Sequence, residues 1–317
     1  MSMPAARLRF VAGRLVQVLP VLVALLLIVV LLQQLMPGDP ARVIAGPRAS
    51  AEQVTQVRHD LGLDQSILAQ FWKYVVNLSG GDLGRSNRTG IPIATIVGER
   101  AAVTVWLLFG GLIVSTLLAV PAALVMALRP RSPAARVCAR SLTVILNCPP
   151  FWVGLMLASV LALRTGWLPV GGFGENTGDR LRSMVLPSLT IGLAAMPLLA
   201  RSGAASLRQV LAADHVTTAR SLGLSGWPLV RRHLLRNALP PAVTLLAVQA
   251  AALLFGAVIV EQTFGLPGLG AEMVNAASQR DFPVVQALTL IFGAAIIGIN
   301  LLADLAVALL DPRTTWR

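Results

Sequence analysis

Long uncharged apolar runs alternate with short charged segments along this chain. Six runs, Leu15–Gly38, Ala101–Leu128, Ser141–Leu163, Ser183–Ala200, Asn237–Val260 and Phe282–Ala303, contain no Asp, Glu, Lys or Arg. Crossing about 30 Å of hydrocarbon takes about 20 helical residues, so each run predicts one transmembrane helix. A helix satisfies its backbone N–H and C=O groups within one segment, which hydrocarbon demands. The fourth run is the shortest at 18 residues and contains Pro197. Pro149-Pro150 fall in the third, where a helix breaks or kinks. Pro240-Pro241 open the fifth, where missing N–H groups cost little. Broken helices beside a cavity are common in transporters, and kinked ones are ordinary in membrane proteins.

The first run follows Arg7, Arg9 and Arg14, and Val43-Ile44-Ala45 loosely resembles a signal cleavage site. A secretory signal has an apolar stretch of about 7–15 residues. This run is longer, so a retained helix is expected. The segment 37–100 after it is long enough to fold. Ser50 with Gln53 reads as a capping box opening a helix that Gly62 closes. Asp64 is the expected cap of a second helix, Gln65–Leu78, ended by Gly80-Gly81. Phe71, Trp72 and Tyr74 read as packing or membrane-interface anchors.

Composition agrees with the pattern. The chain of 317 residues is 56% hydrophobic and 13% charged, against about 25% charged in soluble domains. The net charge of +12 does not point to nucleic acid, because the charges lie between the apolar runs and not along one aromatic-bearing face. With a cytoplasmic N-terminus, the inner segments 1–14, 129–140, 201–236 and 311–317 hold 15 basic residues in 69 positions. The outer segments 37–100, 164–182 and 261–281 hold 11 in 104, the asymmetry that the positive-inside rule requires. Both termini are therefore expected in the cytoplasm.

Catalytic signatures are sparse. The only lysine, Lys73, follows Phe71-Trp72 and not a glycine-rich loop, so the chain has no Walker A site and is not itself an ATPase. His59, His215 and His233 are scattered, and Cys138 and Cys148 lack metal spacing and read as small buried hydrophobes. Asp304 is the one acid within an apolar stretch: a proton or cation site, or a side chain reaching water or a neighbouring helix.

The segment 201–236 is the most informative. It contains Leu207-Arg208-Gln209-Val210-Leu211, then Asp214-His215-Val216-Thr217-Thr218-Ala219-Arg220-Ser221-Leu222-Gly223-Leu224, then Arg231-Arg232-His233-Leu234-Leu235-Arg236-Asn237-Ala238-Leu239-Pro240-Pro241. Asp214 suits the start of a short helix and Gly223 its end, giving an exposed cytoplasmic helix between two spans. The plainer reading is a basic loop that obeys the positive-inside rule.

This segment resembles the cytoplasmic "EAA" loop of binding-protein-dependent ABC permeases in its peptide-transporter form. Thr218-Ala219-Arg220, Gly223-Leu224, Arg232-His233, Leu235-Arg236-Asn237-Ala238-Leu239 and Pro241 match that loop. His215 stands where the family has an aromatic residue, and Ser221-Leu222 where it has Ala-Lys. The likeness continues in Met36-Pro37-Gly38-Asp39-Pro40-Ala41, Leu61-Gly62-Leu63-Asp64 and Gly81-Asp82-Leu83-Gly84. Further matches are Pro150-Phe151-Trp152, Gly166-Trp167-Leu168-Pro169, Glu261, Phe264, Pro267-Gly268-Leu269-Gly270 and Arg280-Asp281-Phe282-Pro283. The chain thus resembles the first, B-type, permease of the dipeptide, oligopeptide and nickel importers.

The resemblance implies an all-α integral membrane protein with six transmembrane helices. The expected fold is the type I ABC importer (MetI-like) permease fold, with a small helical extracytoplasmic insertion after the first helix. Its parts would be residues 1–36 (cytoplasmic N-terminus and first span), 37–100 (insertion), 101–311 (five-helix core with the coupling loop) and 312–317 (cytoplasmic tail). It implies a channel subunit for ATP-driven import of di- or oligopeptides in the bacterial plasma (inner) membrane. The implied partners are a second permease, two ATPase subunits that bind ATP and Mg, an extracytoplasmic binding protein and membrane lipid. No cofactor of the chain's own, no metal and no nucleic acid are implied. Coupling to the ATPase would rest on Asp214, His215, Thr217, Thr218, Ala219, Arg220, Leu222, Gly223 and Leu224. The outer gate and binding-protein contact would rest on Asp82, Trp167, Glu261, Phe264, Pro267, Gly268, Arg280 and Asp281. Import of nickel or another solute is the alternative within the class; a membrane-embedded enzyme or a proton-driven carrier using Asp304 are those outside it.

If Gly223 sets the angle at which the chain leaves the coupling helix, a β-branched residue there is strained. Gly223→Val is expected to lower uptake more than membrane insertion; normal uptake by a well-inserted variant would overturn the assignment.

Overall fold

The structure, a computed structural model, describes residues 40–46, 48–61, 64–221 and 236–310, with residues 13, 16–18, 20–28 and 31 of the first apolar run. Among the described residues every regular element is a helix. After α1 (Val16–Ile28) come α2 (Pro40–Ala45), α3 (Ala51–Leu61), α4 (Ile67–Ser79) and α5 (Ile93–Leu128). Next are α6 (Pro133–Asn147), α7 (Pro150–Leu157, continued as a π-helical stretch over Ala158–Arg164), α8 (Thr177–Leu211) and α9 (Asp214–Ser221). The chain closes with α10 (Arg236–Phe264), α11 (Leu269–Ser278) and α12 (Phe282–Leu310). Of these, α5, α8, α10 and α12 are long and apolar enough to cross a membrane.

The third expected span is not one straight helix. The α6 and α7 segments meet at a bend of 102°. A residue before proline is pushed out of the α region, and Cys148 (φ −85°, ψ 125°) and Pro149 (φ −59°, ψ 134°) are accordingly extended. Pro150 then opens α7 from its first turn, where no N–H is needed. The remaining spans outrun the uncharged runs that announced them. Helix α5 starts at Ile93, ahead of Ala101, and α8 extends the expected Ser183–Ala200 at both ends. Helix α10 runs to Phe264, which puts Glu261 on a helix and not in the loop after it.

In the insertion, the capping box forms as the sequence predicts. The Ser50 N–H donates to Gln53 Oε1 at 2.9 Å, and the Gln53 N–H to Ser50 Oγ at 3.2 Å. Helix α4 is capped by Ser66 and not by Asp64: Ser66 is extended, and its Oγ accepts from the Ala69 N–H at 3.3 Å. Gly80 closes that helix. Leu68, Trp72 and Val76 form an exposed apolar stripe along it at i, i+4 and i+8. The Tyr74 hydroxyl is buried with no hydrogen-bond partner among the described residues, and burial pushes its pKa up. A short turn in which Arg85 bridges Pro92 leads from there into α5.

Small residues set the packing of the spans. Along α5, Val103, Leu107, Gly111, Ser115, Ala119, Ala122 and Met126 are buried, at steps of three or four residues. Val105, Phe109, Ile113 and Leu117 on another face are exposed. The buried face lies against α8. Gly110 meets Ser188, Gly111 meets Ile191, and a Cβ on Gly192 would sit 2.6 Å from Val114 Cγ1. Close backbone approach of this kind is how helices associate in lipid, where hiding apolar surface contributes little. Toward one end Ala119, Ala122, Ala123, Ala200 and Ala204 gather around Leu142 and Leu199. Toward the other, Val103, Leu107, Leu186, Ile191, Leu253, Val260 and Phe264 join α5, α8 and α10 in one core. Gly293 of α12 lies against Leu25 of α1.

Gly111→Leu or Gly192→Leu should therefore force α5 and α8 apart, at about 1–3 kcal/mol for overpacking. A Cβ on Gly98 meets nothing within 4 Å, so Gly98→Ala should hold or raise stability. Unfolding temperatures of the purified variants in detergent check this contrast.

Candidate functional site

Glu261 is completely buried, at the last turn of α10. Its position is explained by the start of α11, whose first N–H groups have no partner within their own helix. Gly268, the residue before α11, has no side chain to cap them. Two other helices supply the acceptors. Glu261 Oε2 accepts from the Ala271 N–H at 2.9 Å, and Thr104 Oγ1 of α5 accepts from the Leu269 N–H at 2.9 Å. The Thr104 hydroxyl donates in turn to Glu261 Oε1 at 2.6 Å. The carboxylate also sits at the positive end of the α11 dipole. A Cβ on Gly268 would collide with that carboxylate, and one on Gly270 would lie 2.7 Å from Val258 Cα. The Pro267-Gly268-Leu269-Gly270 motif thus makes room for a buried acid.

A second buried carboxylate ties the insertion to the same end of the bundle. Asp281, which precedes α12, accepts from the Ser86 hydroxyl at Oδ2 and from the Asn87 N–H at Oδ1, the latter at 3.0 Å. Ser86 Oγ itself accepts from the Thr89 N–H at 3.0 Å. Arg100 of α5 pairs with Glu272 of α11 at 3.0 Å. Ile93, Ile96, Leu269, Val284 and Leu288 fill the space between. Nearby, the Gly172 N–H reaches the Phe264 carbonyl at 3.4 Å, and Gly171 lies so close to that carbonyl that a Cβ would clash. The loop between α7 and α8 borders an open cleft of about 570 Å³, with Trp167, Glu175, Asp179 and Arg182 on its walls.

The residues expected at the outer gate therefore divide into two groups. Asp82, Trp167, Pro267 and Arg280 are exposed, whereas Glu261, Phe264, Gly268 and Asp281 are buried and hold the loops in place. Thr104 and Ser86 belong to this network and do not stand out in the sequence, whereas Gly270 does so only as part of the Pro267-Gly268-Leu269-Gly270 motif. Thr104 was legible only as a polar residue inside an apolar run, a signal that many membrane threonines give.

At the opposite end, α9 confirms a short helix where the loop motif lies, from Asp214 to Ser221. Val216 is fully buried, and Asp214 and Thr218 are exposed. His215, Thr217, Ala219 and Arg220 fall within the helix; Leu222, Gly223 and Leu224 lie outside the described residues. Arg201 near the end of α8 donates to Thr143 Oγ1 of α6 at 2.6 Å. Asp304 lines a cleft of about 290 Å³ with Gln17 and Asn300, between α1 and α12. Among the described residues no group of three or more His, Cys, Asp or Glu is placed to hold a metal.

A helical bundle with small-residue seams, a broken third span and a helix between α8 and α10 defines a multi-pass membrane transport subunit. Residues 119–316 match the family described as binding-protein-dependent transport system inner membrane component, and residues 7–98 match its N-terminal companion. The chain belongs to this family, the permease subunits of ABC importers, which are transport and not catalytic proteins. It is 37% identical over 314 residues to the glutathione transport system permease protein GsiC of Escherichia coli K12, covering 98% of this chain and 100% of that one. The GsiC of Salmonella paratyphi A is 36% identical over 311 residues, at the same coverage. The fold matches two crystal forms of the inward-facing MetNI methionine ABC transporter. Their TM-scores are 0.55 and 0.58 at 17% and 15% identity, over 69% and 68% of this chain and 97% and 96% of those chains. The architecture is thus the type I ABC importer permease fold.

Removing Glu261 leaves the Ala271 N–H and the Thr104 hydroxyl buried without an acceptor, at about 1–3 kcal/mol each. Glu261→Ala is expected to lower the unfolding temperature clearly, and Glu261→Gln, which keeps one carbonyl oxygen, to lower it less. Equal stability of all three proteins in a detergent melt would refute the capping role.

Proposed function

We propose that this chain is one half of the channel of an ATP-driven importer of small peptides, the B-type partner of a second permease. The observation that carries the reading is 37% identity, along its whole length, to a permease of a glutathione transport system; glutathione is itself a tripeptide. Two ATPase subunits would complete the complex on the cytoplasmic side, and an extracytoplasmic binding protein would deliver the substrate. Both termini and the loop 201–236 are assigned to the cytoplasm, and residues 37–100, 164–182 and 261–281 to the outside. The excess of basic residues in the inner segments supports this orientation.

In this mechanism α9, with Asp214, His215, Thr217, Thr218, Ala219 and Arg220 and the adjoining Leu222-Gly223-Leu224, docks in a groove of one ATPase. Val216 anchors it from behind through its buried side chain. ATP-driven closure of the ATPase pair pulls this helix and turns the spans from inward-open to outward-open, and hydrolysis resets them. This is rigid-body alternating access. The seam between α5 and α8 makes that pair the natural rigid unit. At the outer end, Asp82, Trp167, Pro267 and Arg280 meet the binding protein, while Glu261, Phe264, Gly268 and Asp281 shape the gate from beneath.

The test is uptake of radiolabelled di-, tripeptides and glutathione by proteoliposomes holding the whole complex. Uptake that needs ATP and the binding protein, and that unlabelled peptides compete away, is expected. Transport of nickel and no peptide would move the chain to the other branch of its family. Uptake that persists with the ATPases inactivated would favour a proton-driven carrier.

A further inference from the structure

On the side assigned to the cytoplasm, the third and fourth apolar runs each end in an arginine. Arg140 immediately precedes Ser141–Leu163, and Arg201 immediately follows Ser183–Ala200. Where charge-free length stops, hydrocarbon gives way to headgroups. The fold brings these two boundaries to one point: Arg201 Nη2 of α8 donates to Thr143 Oγ1 of α6 at 2.6 Å. Arg140 lies three residues before Thr143 and Arg136 one turn further back, so all three are neighbours along one helix.

Helix α6 divides into strips. Ala135 and Leu142 are buried, and Leu142 packs with Leu199 and Ala200 of α8. Away from that face Arg136, Arg140, Thr143 and Asn147 fall at i, i+4, i+7 and i+11, and all are exposed. Val137, Val144 and Leu146, beside this stripe, are exposed as well. A basic row with apolar flanks suits the boundary between water and hydrocarbon, where arginine stems lie along acyl chains. The stripe is also internally tied. The Thr143 hydroxyl donates to the Ala139 carbonyl at 3.0 Å, and Asn147 Nδ2 donates to the Thr143 carbonyl at 2.7 Å. Thr143 thus holds Arg201 by one edge and leaves the rest of its N–H fork without a partner among the described residues.

Nothing nearby in sequence offsets this charge. No Asp or Glu occurs between Glu99 and Glu175, nor between Asp179 and Asp214, so α6 and the inner half of α8 carry no acid. Asp214 opens α9, beyond the end of α8, and Asp304 lies between α1 and α12. Arg136 and Arg140 have no ion pair among the described residues.

We propose that Arg140 and Arg201, with Arg136 beside them, bind the headgroup phosphate of an anionic phospholipid in the cytoplasmic leaflet. The inference rests on the cytoplasmic assignment of this end made above. Arginine N–H pairs match phosphate oxygens. A zwitterionic headgroup brings its own cation and leaves the guanidinium groups unbalanced, whereas a net negative headgroup offsets them. The positive-inside rule asks only for basic loops; here the charges sit on two packed helices, one of them fixed by Thr143. A lipid held there bridges the bent third span to the α5–α8 seam.

The experiment uses the complete importer in nanodiscs of phosphatidylcholine with a minor fraction of phosphatidylglycerol, without substrate or ATP. Native mass spectrometry then identifies the lipids that stay on the released complex. The wild type is expected to retain phosphatidylglycerol in preference to phosphatidylcholine. Arg140→Gln and Arg201→Gln should each lower that preference about fivefold, and Arg201→Lys, which keeps the charge, should lower it less. Arg140 has no protein partner to lose, so the unfolding temperature of Arg140→Gln in pure phosphatidylcholine should match the wild type. That separates lost lipid from lost fold. Unchanged preference in both glutamine variants would overturn the proposal, as would equal retention of the two lipids by the wild type, the mark of an ordinary annulus. Glutamine variants that keep phosphatidylglycerol but raise the KM of peptide uptake in pure phosphatidylcholine would assign the arginines to a substrate carboxylate instead. Retention is read without transport, so failure of the importer reading and failure of this one are told apart.

Discussion

Helices in hydrocarbon gain little by hiding apolar surface from one another, so this bundle is held by how closely its backbones approach. The seam of Gly110, Gly111 and Val114 on α5 against Ser188, Ile191 and Gly192 on α8 meets that condition. Everything else is arranged around it. The alanine-rich cluster continues the seam toward the end that carries α9, and α10 packs beside it through Leu253, Ala257 and Val260. So close a joint suits the rigid-body alternating access proposed above.

Among the described residues the buried charged side chains are Glu261 and Asp281. Glu261 is buried because α11 follows a glycine that cannot cap it, and Asp281 because two loops need a common acceptor. A buried carboxylate holding backbone N–H groups is a stronger and more directional link than apolar contact. The two acids therefore fix the geometry of the insertion end and leave Arg280 beside them exposed. The same economy appears at the other end, where Val216 is the buried foot of a short helix whose Asp214 and Thr218 face outward.

Much of this was legible in the residues. Charge-free length located the spans, the Ser50–Gln53 box located α3, and the Thr218-Ala219-Arg220 motif located α9. Pro149-Pro150 marked the break in the third span, though not its 102° bend. The cap of α4 was misplaced because Asp64 and Ser66 are both good cap residues, and the choice between them depends on where the chain turns into the helix.

Sequence by itself determined the class of protein: six charge-free runs of 18 to 28 residues are long enough to satisfy their backbone in hydrocarbon as helices. It also marked the family through motifs set in order along nearly the whole chain. Tertiary structure alone decided what those motif residues do. Glu261 and Arg280 look alike in sequence, as polar residues flanking one loop, yet one is fully buried and the other exposed. The difference lies in contacts across long separations, Thr104 to Glu261 and Ser86 to Asp281. No local pattern encodes which distant hydroxyl will meet which carboxylate.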